Sequence, residues 1–262
     1  ERKPLMEVAA LLATLQGTEQ NMNDQPTPSY RPLYQQIKEA LLSRIVSGIW
    51  PPGTYIPSES ALSQEYGVSV GTLRKAVDAL ANEHVVIRHQ GKGTVVATHD
   101  SDRSLFQFFH FVRFDGSRSL PVSRVLQRRC RQATLEEAHA LELGEGTVVV
   151  HIQRIRVLDD VPALLEDLVV DAARFPALEN EPQTLPNTLY QLYQQKFSQS
   201  VAKAEERLLA VAAGQQEQKH LGVEIGSPLL EVRRIARGLQ GEALEYRVSR
   251  CNTQHHCYLN EL

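Results

Sequence analysis

The chain has 262 residues, 42% of them apolar, and a formal net charge of −3. This length is sufficient for two domains with separate cores, the composition is that of an ordinary globular protein, and the small net charge gives no sign of nucleic acid as a partner. The local balance is more informative, because residues 29–97 carry seven basic and five acidic side chains whereas the whole chain has 28 and 31. A mildly basic block on an acidic body is weakly typical of a protein with one face toward nucleic acid.

The first residues and the cysteines indicate where the protein works. The apolar run from Leu5 to Leu15 is interrupted and is shorter than the roughly 20 apolar residues that span a bilayer. It also lacks the basic leader and the cleavage site of a signal peptide. Three cysteines without a CxxC pair favour a reducing compartment. We therefore expect a cytoplasmic protein with no membrane segment, in which residues 1–28 form a polar, disordered extension.

Residues 29–97 have the pattern of three helices and a hairpin. Pro32 suits the first position of a helix in which apolar residues recur every four positions, and Gly48 is placed to end it. Ser58 and Ser69 are good N-caps for two further helices, which Gly67 separates. On the third helix Leu73, Ala76, Val77 and Leu80 form one apolar stripe, which leaves hydroxyl groups and cations on the other face.

A basic glycine turn follows, from Gln90 to Gly93, between two short runs of β-branched residues. Taken alone, such a turn is usually only a hairpin, and the pair Arg74-Lys75 is usually only a solvated surface. In this order and at this spacing, however, they predict a winged helix-turn-helix that enters a DNA groove.

The same segment resembles the GntR family of bacterial transcription regulators. The resemblance rests on short motifs spread over about seventy residues: Pro32-Leu33-Tyr34-Gln35-Gln36-Ile37, Pro51-Pro52-Gly53, Pro57-Ser58-Glu59, Gly67-Val68-Ser69 and Gln90-Gly91-Lys92-Gly93-Thr94. It implies that double-stranded operator DNA is the partner. By this resemblance the major groove or its phosphates would be contacted by Ser58, Ser69, Thr72 and Arg74, and the minor groove by Gln90 and Gly91.

One position departs from the family pattern. Many members carry an arginine after the Ser or Thr that opens the recognition helix, whereas this chain has Val70 followed by Gly71. We expect Lys75, Arg88 and Lys92 to share the DNA contact, and the operator to differ from the commonest one of the family.

A polar linker is expected at 98–104, and a second domain at 105–262. Its aromatic run Phe106–Phe111 is interpreted as a strand or as the wall of a pocket. Further on, helices are predicted at 135–143, 188–197 and 215–221, and strands at 148–158, 161–170, 201–213, 229–239 and 243–252. Leu141, Gly146 and Arg154 recur 80 residues later as Leu221, Gly226 and Arg234. Because repeated units usually bury their apolar faces on each other, we predict one continuous antiparallel sheet with a ligand cleft at the junction of the two halves.

Four charged residues are candidates for that cleft. Arg154 and Arg156 are two positions apart and share one face of a strand, Glu166 lies on the partner strand, and Glu245 is interpreted as its counterpart in the second half. Paired arginines can hold a carboxylate or a phosphate, and glutamates can accept hydrogen bonds from hydroxyl or amino groups. A cross-strand salt-bridge cluster on the surface explains the same pattern equally well.

The second domain resembles the UTRA effector-binding domain of the HutC subgroup, through Gly146, Arg154, Arg156, Pro162, Glu166, the helix start at Thr188, Gly226, Pro228, Arg234 and Glu245. The resemblance implies an α+β protein whose second domain has a chorismate lyase-like antiparallel sheet. It also implies a homodimeric repressor without a cofactor. Its effector would be a small polar or anionic metabolite, such as a phosphosugar, urocanate or another organic acid, held by Arg154, Arg156, Glu166, Thr188 and Glu245.

Two other functions fit parts of the sequence. The fold relative is a lyase, but the chain has no nucleophile elbow, metal motif or phosphate loop, so we expect no enzymatic activity. A metal-responsive regulator could use His255, His256, Cys257 and Cys251, but these residues lack a recognised ligand spacing, and we expect no metal site.

Overall fold

The computed structural model describes residues 31–99, 102–181 and 185–260; the extension expected at 1–28 lies outside them. The first part of the chain forms three helices and a two-stranded antiparallel hairpin. These elements are α1 (Leu33–Val46), α2 (Glu59–Glu65), α3 (Val70–Asn82), β1 (Val86–His89) and β2 (Gly93–Val96). Their core contains Leu41, Leu62, Leu73 and Leu80, whose side chains are fully buried.

The start of α1 differs from the prediction. Pro32 is the N-cap, with extended backbone at φ −49° and ψ 139°, and the helix begins at Leu33. The carbonyl of Pro32 accepts hydrogen bonds from the amides of Gln35 and Gln36. The proline thus serves as the N-cap, because its carbonyl accepts the first hydrogen bonds of the helix. The fixed φ of proline is compatible with this position.

The second part is built around a six-stranded antiparallel sheet in the order β4-β5-β6-β9-β8-β7. Before and beside this sheet lie α4 (Asp102–Phe108), β3 (Phe111–Arg113) and its partner β10 (His256–Tyr258). The first of the repeated halves consists of β4 (Val122–Gln132), α5 (Leu135–Ala140), β5 (Val148–Leu158) and β6 (Val161–Asp171). The second half consists of β7 (Val201–Ala212), α7 (Gln215–Leu221), β8 (Pro228–Gly238) and β9 (Ala243–Cys251). A 3-10 turn, Leu178–Asn180, and α6 (Leu189–Phe197) connect them.

The continuous sheet predicted from the repeat is confirmed. The two halves join where β6 pairs with β9, from Leu164 opposite Cys251 to Val169 opposite Tyr246. The aromatic run is the end of α4 and the start of β3 rather than a single strand, and α4 begins inside the segment expected to be a linker.

The register of the second hairpin corrects one prediction. Glu166 lies opposite Arg154 in the first half, and Arg247, not Glu245, lies opposite Arg234 in the second. Glu245 lies opposite Ala236. The turn from β8 to β9 holds one more residue than the tight turn at Asp159-Asp160, so equivalent residues on β6 and β9 are about 81 positions apart instead of 80. Glu245 follows Glu166 by 245 − 166 = 79 positions and therefore falls two positions short. Arg247 is therefore the counterpart of Glu166.

Helices cover both faces of the sheet. On one face Leu189, Tyr190 and Tyr193 of α6 pack with Phe108 over apolar residues of β5 and β6. On the other face α5 and α7 cover separate clusters, which contain Leu141 and Leu221 respectively. Within the described ranges, no helix is both long and apolar enough to cross a membrane.

Candidate functional site

The expected DNA-reading hydroxyl groups also cap helices. Ser58 Oγ accepts from the amide of Ala61 at 3.2 Å, and Ser69 Oγ accepts from that of Thr72 at 3.1 Å. Ser69 Oγ and Thr72 Oγ1 are 2.9 Å apart. Each serine therefore satisfies an orphan amide at a helix start, and both residues remain exposed.

Glu59 connects the recognition helix to the wing. Its carboxylate accepts from Arg74 Nε at 2.9 Å and contacts Arg88 Nη2 at 2.7 Å, and Arg88 also lies 2.8 Å from Asp78 Oδ1. Burial raises the pKa of Glu59, but the hydrogen bonds from the two arginines outweigh it and the net shift is downward. Glu59 was named from the sequence only as part of a family motif, and this bridge, which joins one cation of α3 to one of β1, was missed.

A groove separates the start of α3 from the wing. The expected DNA contacts Lys75, Gln90, Gly91 and Lys92 are exposed, and Gly91 has the positive φ of 72° that the tip requires. Val70, where the family resemblance leads one to expect arginine, is 40% exposed and lines the groove. The groove is also lined by Ser58, Glu59, Arg74, Arg88 and the wing residues His89–Thr94.

The second candidate site is a small pocket between α4, the start of α6 and the sheet. Its apolar side is formed by Leu105, Phe108 and Phe109. The remaining lining residues are Arg154, Arg156, Asn187, Thr188, Leu189, Tyr190, Arg234 and Arg247. Of the five residues expected at the effector site, Arg154, Arg156 and Thr188 line the pocket; Glu166 and Glu245 lie behind the arginines.

Most of the arginines are paired with buried or half-buried carboxylates. Arg154 Nε donates to Glu166 at 2.6 Å, Arg234 Nε to Glu206 at 2.6 Å, and Arg247 Nη2 lies 2.7 Å from Glu245. Burial raises the pKa of Glu166. The charges of Arg154, Arg247 and Arg156 lower it by more than burial raises it, so the pKa lies well below its usual range.

Arg156 is the exception in this cluster. Its side chain is 1% exposed, and Nη1 donates to the carbonyl of Asn187 at 3.0 Å. Its Nε, like Nη1 of Arg154, has no hydrogen-bond partner among the described residues. Burial, and then the charge of Arg154, lower the pKa of Arg156 well below its usual range. A buried cation without a carboxylate, next to like charges, leaves the pocket short of negative charge.

Of the lining residues that were absent from the expected effector set, Arg247, Arg234 and Tyr190 contact the glutamates behind the pocket. Arg247 lies two positions after Glu245 on β9, so strand periodicity could have placed it on the same face. Arg234 is the repeat equivalent of Arg154. Tyr190, whose hydroxyl lies 3.3 Å from Glu245, comes one position after the helix start and gave no signal that distinguishes it from a core tyrosine.

The residues considered for a metal are dispersed. His256 Nε2 lies 3.1 Å from Asp159, and Cys251 is buried with its thiol directed at the carbonyl of Ser249. Throughout 31–99, 102–181 and 185–260, no three His, Cys, Asp or Glu side chains are arranged to hold a metal ion.

Comparison with known proteins agrees with this two-part architecture. A family model described as the UTRA domain matches residues 117–256, and one described as bacterial regulatory proteins of the gntR family matches residues 33–96. The histidine utilization repressor of Pseudomonas aeruginosa is 31% identical over 210 residues, which cover 78% of this chain and 80% of that protein. The mannosyl-D-glycerate transport/metabolism system repressor MngR of Escherichia coli is 27% identical over 227 residues, covering 86% and 93%.

A solved structure extends the likeness to the pocket-bearing part. It is the ligand-binding domain of a protein from Bordetella bronchiseptica assigned to the GntR family, 34% identical, with a TM-score of 0.55 and coverage of 59% of this chain and 97% of that one. The family and the named relatives are transcriptional repressors rather than enzymes. The chain belongs to the gntR family of bacterial regulatory proteins that carry a UTRA domain, and it is a ligand-responsive, DNA-binding transcriptional repressor.

Proposed function

We propose that a small anion bound at Arg156 and Arg154 releases this repressor from its operator. The proposal rests on one observation: in a pocket where four arginines meet three glutamates, Nε of Arg156 and Nη1 of Arg154 have no hydrogen-bond partner within the part of the chain that the structure describes. A carboxylate or phosphate would supply the missing acceptors and the missing negative charge.

The other lining residues define the rest of the ligand. Leu105, Phe108 and Phe109 form an apolar wall, and Thr188 and Asn187 add polar groups to the lining. The ligand would therefore combine one anionic group with a short body that packs on aromatic rings and carries a hydroxyl or amino group. The relatives named for histidine and for mannosyl-D-glycerate act in systems whose compounds carry a carboxylate, which supports this choice.

The ligand class is tested by thermal shift of the full-length chain against small carboxylic acids and sugar phosphates, with acetate and inorganic phosphate as minimal anions. Arg156→Met should abolish stabilisation by every compound that stabilises the wild type, whereas Arg129→Met, on an exposed position of β4, should leave it unchanged. Stabilisation that persists in Arg156→Met would place the anion elsewhere.

On DNA, we propose that the protein acts as a cytoplasmic homodimer on a palindromic operator, because a two-fold protein matches a two-fold site. The proposed contacts are Ser58, Ser69, Thr72, Arg74, Lys75, Arg88, Gln90, Gly91 and Lys92, which lie on the exposed side of the winged part or at the groove. Protection footprinting of the DNA upstream of the gene would show two protected half-sites about one helical turn apart. A single protected half-site would contradict the dimer.

A further inference from the structure

The start of helix α6 lines the effector pocket. The middle of the same helix contacts the segment that follows the wing. Gln194 Oε1 accepts from the backbone amide of His99 at 3.1 Å, and Gln194 Nε2 donates to the carbonyl of Ala97 at 3.2 Å. The same Nε2 lies 3.0 Å from Ser200 Oγ, just before β7. The side-chain amide of Gln194 is thus hydrogen-bonded to both a backbone N–H and a backbone carbonyl of the segment directly after β2.

The pocket and this contact lie on one rigid element. Thr188, Leu189 and Tyr190 line the pocket, and Gln194 follows Tyr190 by about one helical turn. A ligand that shifts the start of a nine-residue helix must shift Gln194 with it, because the backbone hydrogen bonds of the helix resist bending.

His99 makes a second connection between the same two regions. Its ring is buried, with its centroid 6.1 Å from that of Tyr190 and 6.2 Å from that of Phe108. Both aromatic residues line the pocket, and Tyr190 and Phe108 pack edge to face at 5.1 Å. The segment after the wing is therefore part of the layer directly behind the pocket wall.

The hairpin that carries the pocket arginines also reaches the winged part. Leu239, in the turn between β8 and β9, packs against the core of the three helices. Arg234 of the same hairpin donates to the carbonyl of Phe108. The winged part is thus held at two places, one by the polar clamp of Gln194 and one by the apolar contact of Leu239.

We propose that Gln194 is the positioning residue through which the pocket controls the winged part. With the pocket empty, its amide fixes the segment Ala97–His99 and so orients the wing for DNA; a shift of α6 on ligand binding breaks the clamp and releases that orientation. This role rests on the proposed function of the pocket. The pocket and the winged part are coupled because the contacts of Gln194 differ between the empty and the ligand-bound state.

Hydrogen exchange tests the clamp directly in the full-length chain. Gln194→Ala should raise the exchange rate of the His99 amide at least tenfold, because that amide loses its acceptor. Gln195→Ala is the matched control: it removes an exposed glutamine one position along the same helix and should leave the rate unchanged. Gln194→Glu keeps an acceptor for His99 but sets a carboxylate against the carbonyl of Ala97. In this variant the exchange rate of the His99 amide should therefore fall between the rates in the wild type and in Gln194→Ala.

DNA affinity decides whether the clamp positions the wing. The probe is a duplex that the wild-type protein selects from random DNA, measured without added anion. Gln194→Ala should bind it about three- to tenfold more weakly, and Gln195→Ala should bind it as the wild type does. Because anion binding must break the clamp in the wild type, Gln194→Ala should bind the stabilising anion at least as tightly as the wild type does. Equal or tighter DNA binding by Gln194→Ala, or an unchanged exchange rate at His99, would overturn the proposal.

Failure of the pocket assignment would look different. It would be seen in the wild type itself, as unchanged stability with every anion or as binding that Arg156→Met does not alter. Neither result depends on Gln194.

Discussion

Two arginines on one face of β5 have opposite energetic roles. Arg154 is bonded to a buried carboxylate at 2.6 Å, whereas Arg156 has a carbonyl and the face of Phe109, 5.2 Å from its guanidinium, as its main contacts. Arg154 completes an ion pair that the fold needs, and Arg156 is a buried charge that a ligand can compensate. Strand periodicity placed both on one face, but it could not separate these roles because the partners come from other strands and from the segment before α6.

Replacement of Arg154 should therefore affect folding before it affects ligand binding. Arg154→Ala leaves Glu166 buried, with Arg247 Nη1 at 3.5 Å as its remaining ion-pair contact, so the free energy of unfolding should fall by about 3–5 kcal/mol. Urea denaturation measures this change. The double variant Arg154→Met with Glu166→Leu should recover most of the loss, and a double variant as unstable as Arg154→Ala would contradict the ion-pair explanation.

Replacement of Arg156 should have the opposite sign. Arg156→Met removes a buried cation that lies among like charges, and we expect the unliganded protein to become more stable by ~1 kcal/mol. The same denaturation experiment tests this, with Arg129→Met as the exposed control. A clear destabilisation would show that the bond to Asn187 and the contact with Phe109 outweigh the cost of burying the charge.

At the scale of elements, the recognition helix depends on its cap. Ser69→Ala removes the acceptor for the amide of Thr72 and should lower the free energy of unfolding by about 1 kcal/mol, whereas Ser69→Gly should cost only a few tenths because glycine also suits an N-cap. Stability is measured by denaturation and DNA affinity by titration. If Ser69 also contacts DNA, both variants should bind DNA more weakly; if it only caps the helix, Ser69→Gly should bind as the wild type does.

Local signals were sufficient for most elements and insufficient for one register. Helix caps at Ser58 and Ser69 and the alternation in the long strands follow from neighbouring residues, so these elements were predictable. The pairing of Arg234 with Arg247 depends on one extra residue in a turn, which the spacing of the repeat does not reveal, and Glu245 was therefore assigned to the wrong position of the repeat. The clamp of Gln194 joins positions about 95 residues apart and leaves no periodic trace.

At the scale of the whole molecule, carboxylates paired with arginine should make stability sensitive to acid. The pKa of Glu166 is lowered by the nearby arginines despite its burial, and that of Glu206 is lowered in the same way by Arg234. A carboxyl group with a lowered pKa in the folded state stabilises fully above its unfolded pKa of about 4.3, and this contribution is lost as the pH falls further.

The free energy of unfolding should therefore decline as the pH is lowered from about 5 to 3. Denaturation at several pH values should show a shallower decline for Glu166→Gln than for the wild type, whatever its stability at pH 7. An equal slope in the two proteins would show that other carboxyl groups dominate acid unfolding.

The internal repeat gives the pocket a direction. Arg154 and Arg234 occupy equivalent positions on β5 and β8, but the position of Arg156 is taken by Ala236 in the second half. A ligand bound at this junction would therefore meet a guanidinium on the first half that has no counterpart on the second. The two halves match at Arg154 and Arg234 but not at Arg156, and this unmatched guanidinium would allow the pocket to distinguish the head of a molecule from its tail.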